Sequence, residues 1–287
     1  MAHMAAGPQK PLPARVASTP IKVRRAVIPS RPPIPPSKKR GNIILDIDET
    51  FVQYVGLDDW KSLSPTEQGK YEVFQPKPTS NGLFILRPNV SEFFYFLSTH
   101  CETVSLWTLS DKEYADGVKE MIEKRFCVKI NNVWSEEENE PARDLYKNNK
   151  DLNYLWYKNP ETIGKFKPCN TILIDDLIGN TQNTSNYLNG IRIPAFAPLG
   201  HKLTSGKTAT HIRTNEYTDS SDDTILLEVI AELIEIFENK AWCSKDDEMP
   251  FPLTERVDLV EGKKATGGRK TRRRKVGKKT RKARKTK

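Results

Sequence analysis

Short apolar runs that break off in polar residues recur through the middle of the chain. Asn42–Asp48 (NIILDID), Thr103–Leu109 (TVSLWTL) and Thr171–Asp175 (TILID) each have the length and continuous hydrophobicity of a strand buried on both faces. Gly190–Ala195 predicts a fourth. Between them the apolar spacing changes to the helical period. Val90–Leu97 predicts a helix with Ser91 as its N-cap. The run SDKEYADGVKEMIEKRF predicts another, capped by Ser110, with Tyr114, Val118, Met121, Ile122 and Phe126 on one face. Residues 223–238, DTILLEVIAELIEIFE, form the clearest amphipathic pattern, capped by Ser221 or Asp222. Strands alternating with helices predict an α/β fold with a Rossmann-like parallel central sheet flanked by helices. Ligands of such sheets bind beyond the carboxyl ends of the strands, where the acidic residues of this chain fall.

Charge then divides the molecule. The formal net charge is +9, but residues 1–41 hold nine Lys/Arg and no acid, and residues 262–287 hold fifteen and no acid. Residues 42–261 are left with 22 basic residues against all 37 acidic ones, a net of −15. Nine of the 20 prolines lie in the first arm. Neither arm has the apolar content to bury a core, so both are expected to be disordered. The expected organisation is an arm over 1–41, a folded body over 42–240, an extension over 241–261 and a basic tail over 262–287. No run of eighteen apolar residues occurs, which predicts a soluble, intracellular protein with no membrane partner. The tail fits a nucleic-acid or import-receptor contact and hence the nucleus. The four cysteines (Cys101, Cys127, Cys169, Cys243) lack metal-ligand spacing and read as reduced thiols.

The chemistry concentrates at three strand ends. Asp46 and Asp48 leave the first run, Thr108 and Ser110 the second, and Asp175 and Asp176 end the third. Aspartate is a poor strand former, and like charges close together repel. Carboxylates gathered at one sheet edge make a cradle for a hard cation such as Mg²⁺. One DxD alone is usually a solvated turn. Its recurrence, with hydroxyls between, points to a site.

ILDIDETF resembles the DxDx(T/V) signature of the haloacid dehalogenase superfamily. LRPNVSEFFYFLSTHCETVSLWTLSDKEYADGVKEMI resembles the corresponding block of the FCP/SCP-like (NLI-interacting-factor-like) C-terminal-domain phosphatases, and TILIDD their last acidic motif. The likeness runs from Asn42 to Phe237 and is weakest at Lys129–Tyr157. It implies the haloacid dehalogenase fold with small inserts and no large cap. It also implies a Mg²⁺-dependent phosphatase working through an aspartyl-phosphate, and a phosphoprotein substrate of the RNA polymerase II C-terminal-domain kind. By the resemblance, Asp46 is the nucleophile and Asp48 the general acid and base. Mg²⁺ is held by Asp46, the main-chain carbonyl of Asp48, and Asp176. Thr108 and a lysine bind the phosphate. Lys158 fits the lysine best, with Lys165 and Lys167 nearer the last strand. Asp175 holds the lysine or a metal water, and Thr50 bonds the loop backbone. Leu109 stands where the family has a small residue, and the stretch from Lys129 to Tyr157 is longer and more acidic than expected.

Rival readings are weaker. GHKLTSGKT (200–208) has five residues between its glycines where a P-loop has four. A cysteine phosphatase needs Arg six positions after Cys, where this chain has Trp107, Val133, Asp175 and Met249. His100, His201 and His211 lack metal spacing. Phe93, Phe94 and Phe96 read as core, while Trp134, Trp156 and Tyr157 fit either core or a substrate groove. Two alternatives of other kinds remain: a nucleic-acid end phosphatase, suggested by the basic arms, and a catalytically silent binding module on the same fold.

Overall fold

The computed structural model describes residues 40–75, 81–146, 149–199, 217–218, 221–238 and 257–260, all within one unit spanning Pro36–Lys287. In chain order the elements begin with β1 (Asn42–Leu45), β2 (Val52–Gly56), α1 (Leu57–Ser62), α2 (Pro65–Gln68), β3 (Val73–Phe74) and β4 (Gly82–Leu86). Then come α3 (Val90–His100), β5 (Thr103–Trp107), α4 (Lys112–Phe126), β6 (Asn132–Trp134), α5 (Glu136–Tyr146) and α6 (Leu152–Tyr157). The chain continues through β7 (Thr171–Asp175), α7 (Ile178–Thr181), β8 (Gly190–Arg192), β9 (Ala195–Phe196), β10 (Tyr217–Thr218), α8 (Ile225–Glu238) and β11 (Val257–Asp258).

Six strands form the central sheet in the order β11-β8-β7-β1-β5-β6, every pairing parallel. The two-residue alternation of β1 divides the core. Ile43 and Leu45 face one layer with Val104, Leu106, Ile172 and Ile174, packed on α3, α4 and α8. Ile44 faces the other with Trp107 and Leu173, packed on α5 and α6 through Ala142, Leu152, Leu155 and Trp156. This is the α/β architecture expected, with helices on both faces of a parallel sheet.

A second, three-stranded antiparallel sheet, β2-β4-β3, follows the first strand and was not anticipated. It covers its own cluster of Val55, Leu63, Leu83, Ile85, Phe196 and Leu199. The joint between the two sheets is Arg87. Its guanidinium is wholly buried and donates to Asp223 Oδ2 (2.9 Å), the Thr50 carbonyl (2.8 Å) and the Pro194 carbonyl (3.0 Å). It thereby ties the loop after β1 to the segment after β8 and to the start of α8.

Helix starts differ from expectation by a residue or two. Asn89, not Ser91, precedes α3; Asp111, not Ser110, caps α4 through the Tyr114 amide; and Asp223 caps α8 through the Ile225 amide at 2.7 Å. Ser110 is instead drawn into the site described below. Val257–Asp258, placed by its sequence in an extension, adds an edge strand beside β8. Cys101 and Cys127 are not disulfide-bonded, but Cys169 is, against the expectation of four reduced cysteines. Spacing along the chain says little about which thiols meet in space. Phe93, Phe94, Phe96, Trp134 and Trp156 are core, whereas Tyr157 is exposed. No helix among the described residues is long and apolar enough to cross a membrane. The segment 200–208 and His211 lie outside the described residues, as do residues 1–39 of the first arm and the whole of the basic tail.

Candidate active site

The sheet delivers its polar residues to one edge. Asp46 follows β1, its amide donating to the Ile174 carbonyl of β7 at 2.9 Å, and Asp175 ends β7. Thr108 follows β5, its amide bonded to the Trp134 carbonyl at 2.9 Å. Asp46 and Thr108 line a cavity of ≈ 640 Å³ with Asp48, Glu49, Tyr54, Leu109, Ser110, Asp111, Tyr114, Glu136, Lys150 and Asp176, and Asp175 contacts it through Lys150.

Alternation decides what Asp46 meets. It shares the parity of Ile44, and Asp175 that of Leu173, so both carboxylates sit on the α5–α6 side of the sheet. Lys150, in the turn leading into α6, supplies the cation there. Its Nζ donates to Asp46 Oδ1 and to Asp175 Oδ2 (2.8 Å), and the whole side chain is buried. Asp175 also accepts from Asn180 Nδ2 (2.9 Å) and from the Leu177 amide (2.8 Å). Lys150 itself has φ 51°, a left-handed backbone held by Asn186, whose amide donates to the Lys150 carbonyl at 2.7 Å while its oxygen accepts from the Leu152 amide at 3.0 Å.

Lys158 is not at the site. It is exposed at the far end of α6, whose near end is capped by Asp151. A helix that precedes a parallel strand begins at the carboxyl edge of the sheet and ends at the amino edge. Lys150, just before the cap, is therefore at the carboxyl edge, and Lys158, just after the helix, is at the other. Lys165 lies at that amino edge too, its carbonyl accepting from Asn42 at 3.2 Å, and Lys167 follows it in an exposed turn. The signal was available: KNNKDLNYLWY places a lysine directly before an Asp N-cap.

Burial pushes the Asp46 carboxyl well above the ordinary range, opposed by Lys150 and reinforced by Asp175 and Asp176. Burial also disfavours charge on Lys150, but Asp175 and Asp46 outweigh it and raise its pKa. Asp48 is raised by burial, against bonds from Tyr114 and Ser110. Glu49, with φ 56° and nearly all of its surface buried, is pushed up to about 9 by burial and then by Asp48. Asp46, Asp48, Asp175 and Asp176 this close ask for positive charge beyond one lysine. One oxygen from each of Asp46, Asp175 and Asp176 lies within 4.8 Å of the others, and all three residues are buried. Hard carboxylate oxygens in that number fit Mg²⁺.

Thr108 is oriented from both sides. Its hydroxyl oxygen accepts from the Ser110 amide (3.0 Å), leaving its proton free to be donated into the cavity. Its carbonyl accepts from Asn139, which also binds the Trp107 indole at 2.6 Å. Thr50 bonds the loop backbone through its main chain, its amide donating to the Ile47 carbonyl at 3.3 Å and its carbonyl accepting from Arg87, while its buried hydroxyl has no hydrogen-bond partner among the described residues.

Residues 42–205 match the family described as NLI interacting factor-like phosphatase, more than half of the chain. The chain belongs to that family. All the cavity residues named above fall inside the matched range, so the phosphatase family and the buried acidic cleft coincide. Among solved structures, this chain is similar to a variant of the fission yeast RNA polymerase II CTD phosphatase Fcp1 bound to beryllium fluoride. That match has 16% identity and a TM-score of 0.41, covering 73% of this chain and 59% of that one. A second, of Fcp1 described as an essential RNA polymerase II CTD phosphatase, has 16% identity and a TM-score of 0.41, covering 77% and 59%. The chain thus spans under two thirds of either. No curated protein matches it.

Proposed function

We propose that this phosphatase hydrolyses phosphomonoesters through a covalent phosphoryl-Asp46, with phosphoserine/phosphothreonine protein as its substrate class. The observation that carries the reading is the Lys150 ammonium shared by Asp46 and Asp175, with Asp176 alongside, at the carboxyl ends of two adjacent parallel strands.

A carboxylate oxygen of Asp46 attacks phosphorus as the bond from phosphorus to the leaving oxygen breaks, and Asp48 gives its proton to that oxygen. Asp48 then takes a proton from water, whose oxygen attacks phosphorus and breaks the Asp46–phosphorus bond, releasing inorganic phosphate. The Thr108 hydroxyl and Lys150 bind phosphoryl oxygens through both steps. Asp46, Asp176 and the Asp48 carbonyl would hold Mg²⁺, which supplies charge that lets a carboxylate approach a phosphate dianion. Asp175 keeps Lys150 in place.

Among the described residues, the small antiparallel sheet and the α5–α6 segment form no large closing domain over the cavity, which supports a macromolecular substrate. Comparing kcat/KM for phosphoserine peptides, including RNA polymerase II C-terminal-domain repeats, with phosphotyrosine peptides and phosphorylated oligonucleotides tests the class. Preference for the oligonucleotides would favour the end-phosphatase alternative instead. Asp46→Asn should abolish turnover of every substrate, and excess chelator should do the same to the unaltered chain. Full activity in either case would remove the mechanism, leaving the silent binding module.

A further inference from the structure

Two hydroxyls from one short stretch close on the Asp48 carboxyl. Asp111 caps α4 by accepting from the Tyr114 amide at 2.8 Å, which sets the first turn and the direction of the Tyr114 side chain. The Tyr114 hydroxyl donates to Asp48 Oδ1, and the Ser110 hydroxyl donates to Asp48 Oδ2 at 3.2 Å. The Tyr114 ring is clamped edge-on by Tyr54 (centroids 6.1 Å apart, 82° between planes) and by Phe84 (5.5 Å, 62°). Those two rings come from β2 and β4, so the small sheet that the amino-acid pattern did not predict is what holds the tyrosine.

We propose that Tyr114 is a positioning residue for proton transfer by Asp48, holding the carboxyl in one orientation through the whole catalytic cycle. The inference rests on the reading of Asp48 as acid and base. The chemistry of the two hydroxyls distinguishes them. With Asp48 protonated on Oδ2, Oδ1 still accepts from Tyr114, so that contact survives. The Ser110 hydroxyl can turn away, leaving the Oδ2 proton for the leaving oxygen. When Asp48 is ionised, Ser110 donates back to Oδ2. One contact is constant and the other follows the proton. An aspartate has two side-chain torsions to restrain, and a proton donor misplaced by an ångström loses much of its effect.

Tyr114→Phe removes the hydroxyl and keeps both ring contacts. The test uses the full chain with Mg²⁺ and a series of aryl phosphates from 2,4-dinitrophenyl to phenyl, measuring kcat/KM for the unaltered protein, Asp48→Asn and Tyr114→Phe. Good leaving groups need no proton, whereas poor ones do. Tyr114→Phe should lower kcat/KM for phenyl phosphate by roughly 10- to 100-fold, part of the roughly 10²–10⁴-fold that general acid catalysis supplies. It should leave the dinitrophenyl ester near the unaltered rate, with an unchanged melting temperature. Asp48→Asn should show the same steepened dependence, more strongly. If Asp48→Asn is steep but Tyr114→Phe loses equally on every ester, or loses nothing, positioning by Tyr114 is overturned and the acid role of Asp48 survives. If Asp48→Asn itself loses equally on every ester, Asp48 is not the acid and both readings fall.

Discussion

Among the described residues, Lys150 is the one basic side chain lining a cavity walled by Asp46, Asp48, Glu49, Asp111, Glu136 and Asp176. It is buried in contact with two carboxylates, so its charge is neither screened nor replaceable by solvent. Lys150→Met should reduce kcat on the order of 10²–10³-fold, the effect typical of losing one donor to a developing oxyanion. Lys158→Met, on the exposed end of α6, should leave kcat unchanged, and equal losses in the two variants would undo the geometric argument. Glu49 carries a different prediction, about pH. Its carboxyl titrates near 4.5 when unfolded and at about 9 when folded. The native state then binds the proton more tightly across that interval, so stability is fully present below the lower value and is lost as pH rises through the upper one. Melting temperatures of metal-free protein should therefore fall from pH 5 to pH 9, and Glu49→Gln should flatten the slope. A parallel slope in the variant would assign the pH dependence to other groups.

At the scale of elements, the site depends on how loops are tied to one another. The turn after β1 has a left-handed Glu49 and a Thr50 carbonyl that accepts from Arg87, whose other bonds reach the Pro194 carbonyl and Asp223 at the start of α8. Phe196 lies under the same guanidinium at 5.5 Å. Arg87→Met keeps much of the volume but removes the charge from this buried network. Its cost should be about 3–5 kcal/mol, as for other buried pairs broken on one side. Urea unfolding measures this directly, and a loss below about 1 kcal/mol would mean the pair merely balances its own desolvation. The Asn180 and Asn186 side chains do for Asp175 and Lys150 what Arg87 does for the loop after β1.

Across the whole molecule, charge is sorted by segment: net −15 over 42–261, with fifteen Lys/Arg in the last 26 residues. The tail has no aromatic residue, which gives attraction to polyanions without a means of reading bases. Removing residues 262–287 should leave turnover of a small aryl phosphate unchanged. It should weaken retention of nucleic acid at low salt, a retention that in the full chain should fall steeply as salt rises. Loss of aryl phosphate turnover on truncation would make the tail part of the catalytic body.

Asp46, Asp48, Thr108, Asp175 and Asp176 could be read from the chain because each ends an apolar run, and a parallel sheet brings the ends of its strands to one edge whatever connects them. The period of the apolar residues determined which helices pack, and the two-residue alternation of β1 determined which layer Ile43 and Ile44 enter. Side chains that arrive from connecting segments were another matter. Lys150, Arg87 and Glu49 reach the site or its supports from turns and a strand end, where no period marks the direction of a side chain; for Tyr114 the helical period marked the apolar face, but not the contact its hydroxyl makes with Asp48. Lys158 lost to Lys150 because eight residues, one helix long, separate the two edges of the sheet. Only the folded chain decides which edge a residue between two elements will occupy.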